Sequence, residues 1–453
     1  MKLTANTHNF HVLDYDGNLL LYDVNRVKTF QCSIVEKKLL NSAFSGSEGI
    51  GTLVARYGEE VVDEGIRRLN RLSGMSDSLA SYSGQQDLTS GEVTTLWLNV
   101  TNACNLKCRY CYAREGAYAT GPENMSSDIA RAGIDLLLKL TRQTNACVIV
   151  FAGGEPLLNF PVIKSTIEYT HRKLRQQNIS VVYRILTNGT VMDAGILKLL
   201  TEYGVGLQIS MDGPAEIHNC NRRLKDGRGS FKKVEVTLQF LKKNQFENYS
   251  VRSTMCHEGM EADQLKNFLK ERGFEAISLI PVMAERHNPL RLDQNEVKDL
   301  SRFYLEQSKE IVNGLLSGKP ATIFEDIPLY LEKLKFGIKS KRFCGAGHGM
   351  LVLTPGGDLY PCPSLASSPE FHLGSLRQGL SNAIIQQFTL NTVDRKAACK
   401  ICWARNLCGG GCAALSWQAN QNIEEPDTSA CETLKAKITG AIYIHNRLMG
   451  QRR

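Results

Sequence analysis

Residues 101 to 113 read TNACNLKCRYCYA, a loop with three cysteines that directly follows the apolar strand pattern VTTLWLNVT. Cys104, Cys108 and Cys111 have the spacing C-x3-C-x2-C. In parallel α/β folds, ligands and catalytic residues collect at the carboxyl ends of the strands. Three thiolates on one short loop can hold three irons of a [4Fe-4S] cubane and leave the fourth iron free for a substrate. A zinc knuckle that lacks its fourth ligand, or chance spacing, is the alternative that this motif alone leaves open.

Short apolar strands alternate with helical patterns from residue 93 to about residue 285. This alternation predicts a parallel sheet with crossover helices. The six predicted strands are VTTLWLNVT, ACVIVFA, SVVYRILT, GVGLQIS, YSVRSTM and AISLIPV. Six strand-helix units predict an α/β fold, a partial (β/α)6 barrel that is TIM-like.

The next three strands end in the sequences AGGEP, TNGT and SMDGP, which supply small or hydrogen-bonding residues. Gly153 and Gly154 leave the backbone unshielded, so that a ligand amine can come close, and Glu155 can accept its charge. Each motif taken singly is weak, because glycines commonly end strands in turns. Their repetition at successive strand ends predicts one binding mouth around the cysteine loop.

The cysteine loop followed by GGE one strand later resembles the radical S-adenosylmethionine (SAM) superfamily over about 190 residues. The resemblance implies that Cys104, Cys108 and Cys111 ligate a [4Fe-4S] cluster whose open iron chelates SAM. It also implies SAM contacts from Tyr110 on the adenine, from Gly153, Gly154 and Glu155 on the methionine amine, from Asn188, Ser210 and Asp212 on the carboxylate and ribose, and from Arg222 on the carboxylate. A surface position in a loop is the alternative for Arg222.

One-electron reduction of SAM by such a cluster gives a 5′-deoxyadenosyl radical, which can abstract hydrogen from an unactivated C–H bond. The chemistry then comes from the cofactor. A Ser-His-Asp or paired-carboxylate signature is not required.

Seven more cysteines lie in the C-terminal third, with the pattern C-x12-G-x4-C, a gap, C-x2-C-x5-C-x3-C, another gap and C. The pattern resembles the SPASM extension of radical SAM enzymes that modify peptides and proteins. By that resemblance a distal auxiliary [4Fe-4S] cluster is held by Cys399, Cys402, Cys408 and Cys431, and a near one by Cys344, Cys362 and Cys412. A zinc ribbon is the alternative.

The near cluster is one cysteine short, because a four-thiolate site takes cysteines in fours. Some fully ligated relatives supply the fourth cysteine just upstream, where this chain reads FGIKSKRF at residues 336 to 343. Cys220 and Cys256 are the alternatives in this chain, whereas Cys32 and Cys147 are expected to be small buried hydrophobes. An open iron in the near cluster is therefore the expectation.

The N-terminal segment, residues 1–73, combines strand patterns around Asp16-Gly17-Asn18 with three short helical patterns, the outline of a winged helix. It resembles the peptide-recognition domains of such enzymes and implies a leader segment on the substrate. Residues 74–92 are Ser/Gly-rich and predict a linker. Residues 93–285 form the predicted barrel, residues 286–342 connecting helices and residues 343–453 the SPASM domain.

Composition and charge exclude several classes of function. No segment has the order of a signal peptide or the length of a membrane span, so a cytoplasmic protein is expected, and its 14 cysteines favour metal ligation over disulfides. The net charge of +8 raises a nucleic-acid hypothesis, a DNA-binding regulator with a metal-sensing tail. Residues 1–73 carry nine basic and nine acidic residues, and this balance argues against that hypothesis.

Taken together, these patterns indicate a radical SAM/SPASM maturase with three [4Fe-4S] clusters that acts on a ribosomally made peptide or a protein. VLTPGGDLYPC with CWARNLCGGGC looks most like enzymes that install cysteine thioether crosslinks, of the ranthipeptide (SCIFF) or quinohemoprotein amine dehydrogenase maturase type. Formylglycine formation on sulfatases, other crosslinking and epimerisation stay open. A ferredoxin or flavodoxin is the expected electron donor, and the substrate itself is not determined by the sequence.

Overall fold

The computed structural model describes residues 3, 5–45, 48–74, 92–113, 123–141, 146–175, 179–318, 323–324 and 326–449. The predicted linker, residues 74–92, lies outside the described residues except for Gly74 and Glu92. Within these ranges, every helix is too short or too polar to cross a bilayer.

The N-terminal segment forms an antiparallel sheet in the order β1-β2-β3, followed by three helices. The elements are β1 (Phe10–Tyr15), β2 (Asn18–Asp23), β3 (Lys28–Gln31), α1 (Ile34–Ser45), α2 (Ile50–Tyr57) and α3 (Glu59–Gly74). Asp16 and Gly17 join β1 to β2 with φ values of 53° and 69°. A two-residue hairpin turn with positive φ at both positions matches the twist of the strands, which is why Asp-Gly occurs there.

Both faces of this N-terminal sheet are covered. Phe10 and Leu21 pack against the helices α1 to α3 in a small separate core. Leu13, Leu20 and Tyr22, on the opposite face, join the main core of the molecule. The strands of residues 1–73 thus contribute to the main core as well as to the separate core of this segment.

The central segment forms a parallel sheet in the order β4-β6-β7-β8-β10-β11. Its strands are β4 (Thr95–Thr101), β6 (Ala146–Gly153), β7 (Ser180–Thr187), β8 (Gly206–Ser210), β10 (Tyr249–Met255) and β11 (Ala276–Pro281). Its helices are α4 (Ser127–Leu140), α5 (Phe160–Arg175), α6 (Ala194–Tyr203), α7 (Ala215–Asn221), α8 (Phe231–Lys243) and α9 (Ala262–Glu271). The predicted partial barrel is confirmed, and each of its six strands contributes a fully buried apolar side chain: Leu98, Phe151, Ile185, Ile209, Val251 and Ile277.

A separate two-stranded ribbon crosses the mouth of this barrel. It pairs β5 (Leu106–Cys108), inside the cysteine loop, with β9 (Arg222–Leu224), in antiparallel fashion. The ribbon ties the loop after β4 to the segment after β8.

The C-terminal segment continues the barrel sheet at both edges. Next to β11 lies β12 (Ile323–Phe324), and beside β4 lies β13 (Met350–Leu353), followed by β14 (Asp358–Tyr360), β15 (Gly374–Ser375) and β16 (Gly379–Leu380). The remaining helices are α10 (Gln294–Leu316), α11 (Ile327–Phe336), α12 (Asn382–Leu390), α13 (Ala397–Lys400), α14 (Arg405–Cys408), α15 (Ala413–Asn420) and α16 (Thr428–Met449). The cysteine-rich segment is therefore fused to the barrel through β13, a pairing that the sequence pattern did not indicate.

Candidate active site

The three cysteines of the loop after β4 are gathered at the carboxyl end of the barrel. Cys108 lies in β5 directly opposite Arg222 of β9. Burial, together with the charges of Glu155, Cys108 and Cys111, raises the pKa of the Cys104 thiol to about 11, against the lowering effect of the hydrogen bond from the Leu106 N–H. A buried thiol of this kind stays protonated until a metal ion displaces its proton, because only the thiolate is a metal ligand.

Gly153 and Gly154 allow the cysteine loop to approach the end of β6. A Cβ on Gly153 would lie 2.2 Å from the carbonyl oxygen of Thr101, and one on Gly154 would lie 2.3 Å from that of Ala103. The backbone N–H of Gly154 donates to Thr101 at 2.8 Å. The sequence argument attributed these glycines to the approach of a ligand, but the closest neighbours that exclude side chains belong to the loop itself.

A cavity of about 190 Å³ opens beside the loop. Nine of the predicted site residues line it: Cys104, Tyr110, Cys108, Cys111, Gly153, Gly154, Asn188, Ser210 and Arg222. Glu155 and Asp212, the other two, are not among the residues that line it and lie behind its wall.

Glu155 is fully buried, and both of its carboxylate oxygens accept hydrogen bonds from the protein. One oxygen accepts from the Leu157 N–H and from the Thr187 hydroxyl, and the other accepts from the Asn188 N–H at 2.7 Å. Burial raises the pKa of Glu155 to about 6, against the lowering effect of these donors. Glu155 thus fixes the ends of β6 and β7 against each other.

Asp212, Tyr110 and Arg222 form a buried chain of hydrogen bonds. The Tyr110 hydroxyl donates to Asp212 at 2.5 Å, and Arg222 Nη1 donates to that hydroxyl at 2.7 Å. Arg222 is only 7% exposed, so the surface position considered for it is wrong. The chain fixes Tyr110, between Cys108 and Cys111, in one orientation at the cavity wall.

The seven C-terminal cysteines separate into two sets. After burial, the charge of Cys412 is the largest cause of the raised pKa of Cys344 and of Cys362. Burial raises the pKa of Cys431 to about 12, and the charges of Cys408, Cys399 and Cys402 contribute to this rise. We call Cys344, Cys362 and Cys412 the near set, and Cys399, Cys402, Cys408 and Cys431 the distal set.

The spacing of the sulfur atoms distinguishes between a single zinc ion and a larger centre. A tetrahedral zinc site with Zn–S bonds of about 2.3 Å would bring its sulfurs to about 3.8 Å from one another. In the part of the chain that the structure describes, no three cysteine sulfurs lie within 4.8 Å of one another; the one group that close is His257, Asp293 and Glu296. The cysteines among the described residues thus do not form a ready-made tetrahedral zinc site.

Two cations near these sets were not singled out in the sequence. Lys396 is 2% exposed, and its Nζ donates to the Gly410 carbonyl at 2.8 Å, between Cys408 of the distal set and Cys412 of the near set. Its charge opposes the rise in the pKa of Cys399 and Cys412. A lysine three residues before a cysteine motif looks like an ordinary surface residue, so only its burial distinguishes it.

Arg252 is the second of these cations and lies in the wall of the cavity. Burial raises the pKa values of Asp212 and Cys412, and the charge of Arg252 opposes both rises. Ser364, two residues after Cys362, lines the same cavity. The cavity thus extends from the cysteine loop toward the near set.

The sequence profile of the Radical SAM superfamily matches residues 98–271 of this chain. These residues contain the cysteine loop, the Gly153-Gly154-Glu155 strand end and the Arg222 ribbon. The chain is an enzyme whose residues 98–271 are similar to the Radical SAM superfamily. This similarity implies SAM and a [4Fe-4S] cluster as cofactors.

Known radical SAM proteins match most of the chain. A cysteine-type anaerobic sulfatase-maturating enzyme of Clostridium perfringens is 26% identical over 329 residues, which are 69% of this chain and 86% of the relative. The solved structure of native anSMEcpe with bound AdoMet has a TM-score of 0.66 at 22% identity, with 79% of this chain and 99% of that chain covered. SuiB of Streptococcus suis bound to its precursor peptide SuiA has a TM-score of 0.53 at 13% identity and covers 93% of this chain and 98% of that one. These two structures show that the fold is shared.

Proposed function

We propose that this radical SAM enzyme modifies a ribosomally made precursor peptide or a protein, and that it forms a thioether between a substrate cysteine and a substrate carbon. The observation that carries the proposal is the extent of the cavity. Cys104, Cys108 and Cys111 border it, and it reaches Arg252, whose charge acts on Cys412, and Ser364, two residues after Cys362. A substrate in this cavity would contact the cysteine loop and extend toward the near set.

In this proposal Cys104, Cys108 and Cys111 hold the SAM-binding cluster. When bound, that cluster and SAM supply a 5′-deoxyadenosyl radical that removes hydrogen from a substrate C–H bond. The nine predicted residues among those that line the cavity would contact SAM and the substrate, whereas Glu155 and Asp212 would act through the strand ends and the Tyr110 hydroxyl that they hold.

The near set would hold an auxiliary cluster with three cysteines, and the distal set would hold a second one with four. An auxiliary cluster held by three cysteines would leave one iron for a soft ligand, such as the thiolate of a substrate cysteine. The auxiliary clusters would also take up the one electron that is released when the substrate carbon radical bonds to that sulfur. Residues 336–343 contain no cysteine. Cys256 packs against Tyr110, and the charge of Cys220 raises the pKa of Cys256. Cys220 and Cys256, the alternative fourth ligands of the near cluster, therefore both lie beside the cysteine loop.

A precursor peptide with one cysteine and its Cys-to-Ser variant test the thioether. The cysteine peptide should change the electron paramagnetic resonance spectrum of the near cluster and lose its free thiol while keeping its sulfur. The Cys-to-Ser peptide should do neither. Equal spectra with both peptides, or a product with all its thiols free, would contradict thioether formation at the near set. Cys412→Ala is the matched enzyme variant, because it should remove the spectral change and spare the distal cluster.

Formylglycine formation is the second candidate, and the similarity to a cysteine-type anaerobic sulfatase-maturating enzyme favours it. The two reactions differ in the fate of sulfur, because a thioether keeps the cysteine sulfur and formylglycine loses it. Mass spectrometry of a sulfatase-motif peptide after reaction therefore separates them. A sulfur-free aldehyde product would establish the second candidate in place of the first.

The proposal also includes the partners of the enzyme. Residues 1–73 would bind the leader segment of the substrate, and a ferredoxin or flavodoxin in the cytoplasm would supply electrons. The similarity of the fold to that of SuiB bound to a precursor peptide supports a peptide substrate.

A further inference from the structure

A basic groove lies beside the ribbon of β5 and β9, next to the cysteine loop. We define it by Thr190, Leu224, Arg228, Lys232, Lys233 and Val236, which line a volume of about 500 Å³. Between residues 222 and 233 the chain carries six basic residues and one acidic residue. The only acid there, Asp226, is paired with Arg228 at 2.7 Å.

The ribbon places two cations directly opposite each other. Lys107 of β5 pairs with Arg223 of β9 in the antiparallel register, and both side chains are exposed. Like charges at directly opposed positions destabilise a strand pair. The inner side of the same ribbon carries Cys108 and the buried Arg222. Because β5 is part of the cysteine loop, this positive face lies on the loop itself, on the side of the ribbon opposite to Cys108.

Helix α8 adds a second unfavourable placement of charge. Lys232 and Lys233 are exposed in its first turn, directly after Phe231. The N-terminal end of a helix has a partial positive charge, so cations there destabilise the helix. Neither lysine forms an ion pair with any residue that the structure describes. The Lys107–Arg223 pair and the two lysines at the start of α8 both weaken the fold. Unfavourable charges of this kind indicate that the positive charge serves to bind a partner.

Side chains connect the floor of the groove to the cysteine loop. Asn105 Nδ2 donates to the Thr190 hydroxyl at 2.8 Å, and Asn188 Nδ2 donates to Asn105 Oδ1 at 2.8 Å. Asn188 Nδ2 also lies 3.9 Å from Cys104 Sγ. Two amide side chains therefore separate a solvent-facing groove residue from a cysteine of the loop.

We propose that an acidic one-electron carrier protein docks on the basic groove and reduces the centre held by Cys104, Cys108 and Cys111. The reduced carrier gives up one electron and is oxidised, and the centre gains that electron. Val236 is 58% exposed among the lysines, and an apolar contact inside a charged rim is the usual anatomy of a transient interface. The proposal rests on the proposed function, because it takes this loop to be the reducible site.

The test measures binding of a purified, acidic flavodoxin to the anaerobically reconstituted full chain. The variant is Lys107→Glu/Lys232→Glu/Lys233→Glu. Its affinity for flavodoxin should fall at least tenfold at low salt, and added salt should weaken binding to the unchanged protein much more than binding to the variant. Glutamate in the first turn of α8 favours the helix, so loss of binding would not come from unfolding.

Lys242→Glu/Lys243→Glu is the matched control, since these exposed lysines lie at the other end of the same helix. It should leave flavodoxin affinity within about twofold. Equal affinity for the groove variant and the unchanged protein would overturn the proposal. So would loss of precursor-peptide or nucleic-acid binding in the groove variant with flavodoxin binding retained.

Cleavage of SAM separates this inference from the proposed function. With reduced flavodoxin the groove variant should cleave SAM at least tenfold more slowly than the unchanged protein. With dithionite the two rates should agree, because dithionite needs no docking surface. A loss of the same size with dithionite would assign the three residues to the site itself and overturn the docking proposal. Absence of cleavage by the unchanged protein with dithionite would instead contradict the proposed function.

Discussion

His11 stacks face to face on Trp403, with ring centroids 4.2 Å apart and planes inclined by 3°. His11 lies in β1, and Trp403 directly follows Cys402 of the distal set. Asn406 Nδ2 donates to the Val24 carbonyl at 2.8 Å close by. The N-terminal sheet is therefore fixed to the segment that carries the distal cysteines. Deleting residues 1–73 would remove Leu13, Leu20 and Tyr22 from the main core and expose the residues that they cover, so point substitutions are the better test of this segment.

The stack makes the stability of the protein depend on pH. Burial, followed by the charge of Lys435, lowers the pKa of His11 from 6.5 to about 4. Unfolded chains bind the proton at higher pH than the folded protein does, so this contribution to stability is complete above pH 6.5 and is lost as the pH falls toward 4. His11→Phe keeps an aromatic ring on Trp403 and removes the titration.

Between pH 7.5 and pH 5.5, the unchanged protein should lose about 1 kcal/mol more of its free energy of unfolding than the His11→Phe variant does. Urea unfolding at the two pH values measures this difference. His218 and His348 are present in both proteins, so their titration cancels in the comparison. Equal losses in both proteins would show that the His11 ring titrates as it does in the unfolded chain.

The second prediction concerns the outer edge of β3, where we expect the leader segment to add a strand. The Cys32 N–H donates to Leu19, so by alternation the backbone N–H and C=O of Thr29 point away from β2. Arg68 of α3 donates to the Gln31 carbonyl at 2.8 Å, and Val61, on the same side of that helix, is 51% exposed. The edge therefore offers both free backbone groups and an apolar contact.

Thr29→Pro removes one outward N–H without breaking the ladder to β2. Precursor-peptide affinity should fall about three- to tenfold, as expected for one lost backbone hydrogen bond. Val12→Pro is the control, because the N–H of Val12 points outward from β1 at the opposite edge of the sheet. Isothermal calorimetry with the full precursor peptide gives both affinities. Weaker binding only in Val12→Pro would move the leader to the β1 edge.

The third prediction concerns the buried carboxylate behind the cavity. Glu155→Ala leaves the Leu157 N–H, the Asn188 N–H and the Thr187 hydroxyl without their acceptor. Since each unsatisfied buried donor costs about 1–3 kcal/mol, the free energy of unfolding should fall by about 3 kcal/mol or more. The exposed Glu202→Ala should change it by less than about 0.5 kcal/mol. A Glu155→Ala variant of unchanged stability that lost SAM affinity would place the carboxylate in contact with SAM.

Much of the architecture could be predicted because it depends on sequence patterns within short segments. The alternation of apolar strands and helices specifies the barrel from β4 to β11, and the turn at Asp16-Gly17 specifies the first hairpin. The cysteine spacings likewise predict the ligands of the clusters, and this assignment stays a prediction. Patterns of this kind depend on residues that are close in sequence.

Other features depend on contacts between residues far apart in sequence, which no local pattern contains. The pairing of β13 with β4, the stack of His11 on Trp403 and the burial of Lys396 are of this kind. Gly153 was correctly placed at the site but for an incomplete reason, because its conflict is with the Thr101 carbonyl in the preceding loop. The position of Arg222 inside the ribbon was likewise invisible until β5 and β9 were paired.

The iron content and SAM cleavage of the Cys104→Ala/Cys108→Ala/Cys111→Ala variant, measured together after anaerobic reconstitution, test the central claim most directly. The unchanged protein should hold about twelve irons, four for each of three cubanes, and should cleave SAM to 5′-deoxyadenosine with dithionite. The variant should keep about eight irons, in the centres of the near and distal sets, and should produce no 5′-deoxyadenosine. Undiminished cleavage by the variant would contradict the assignment of the catalytic cluster to this loop.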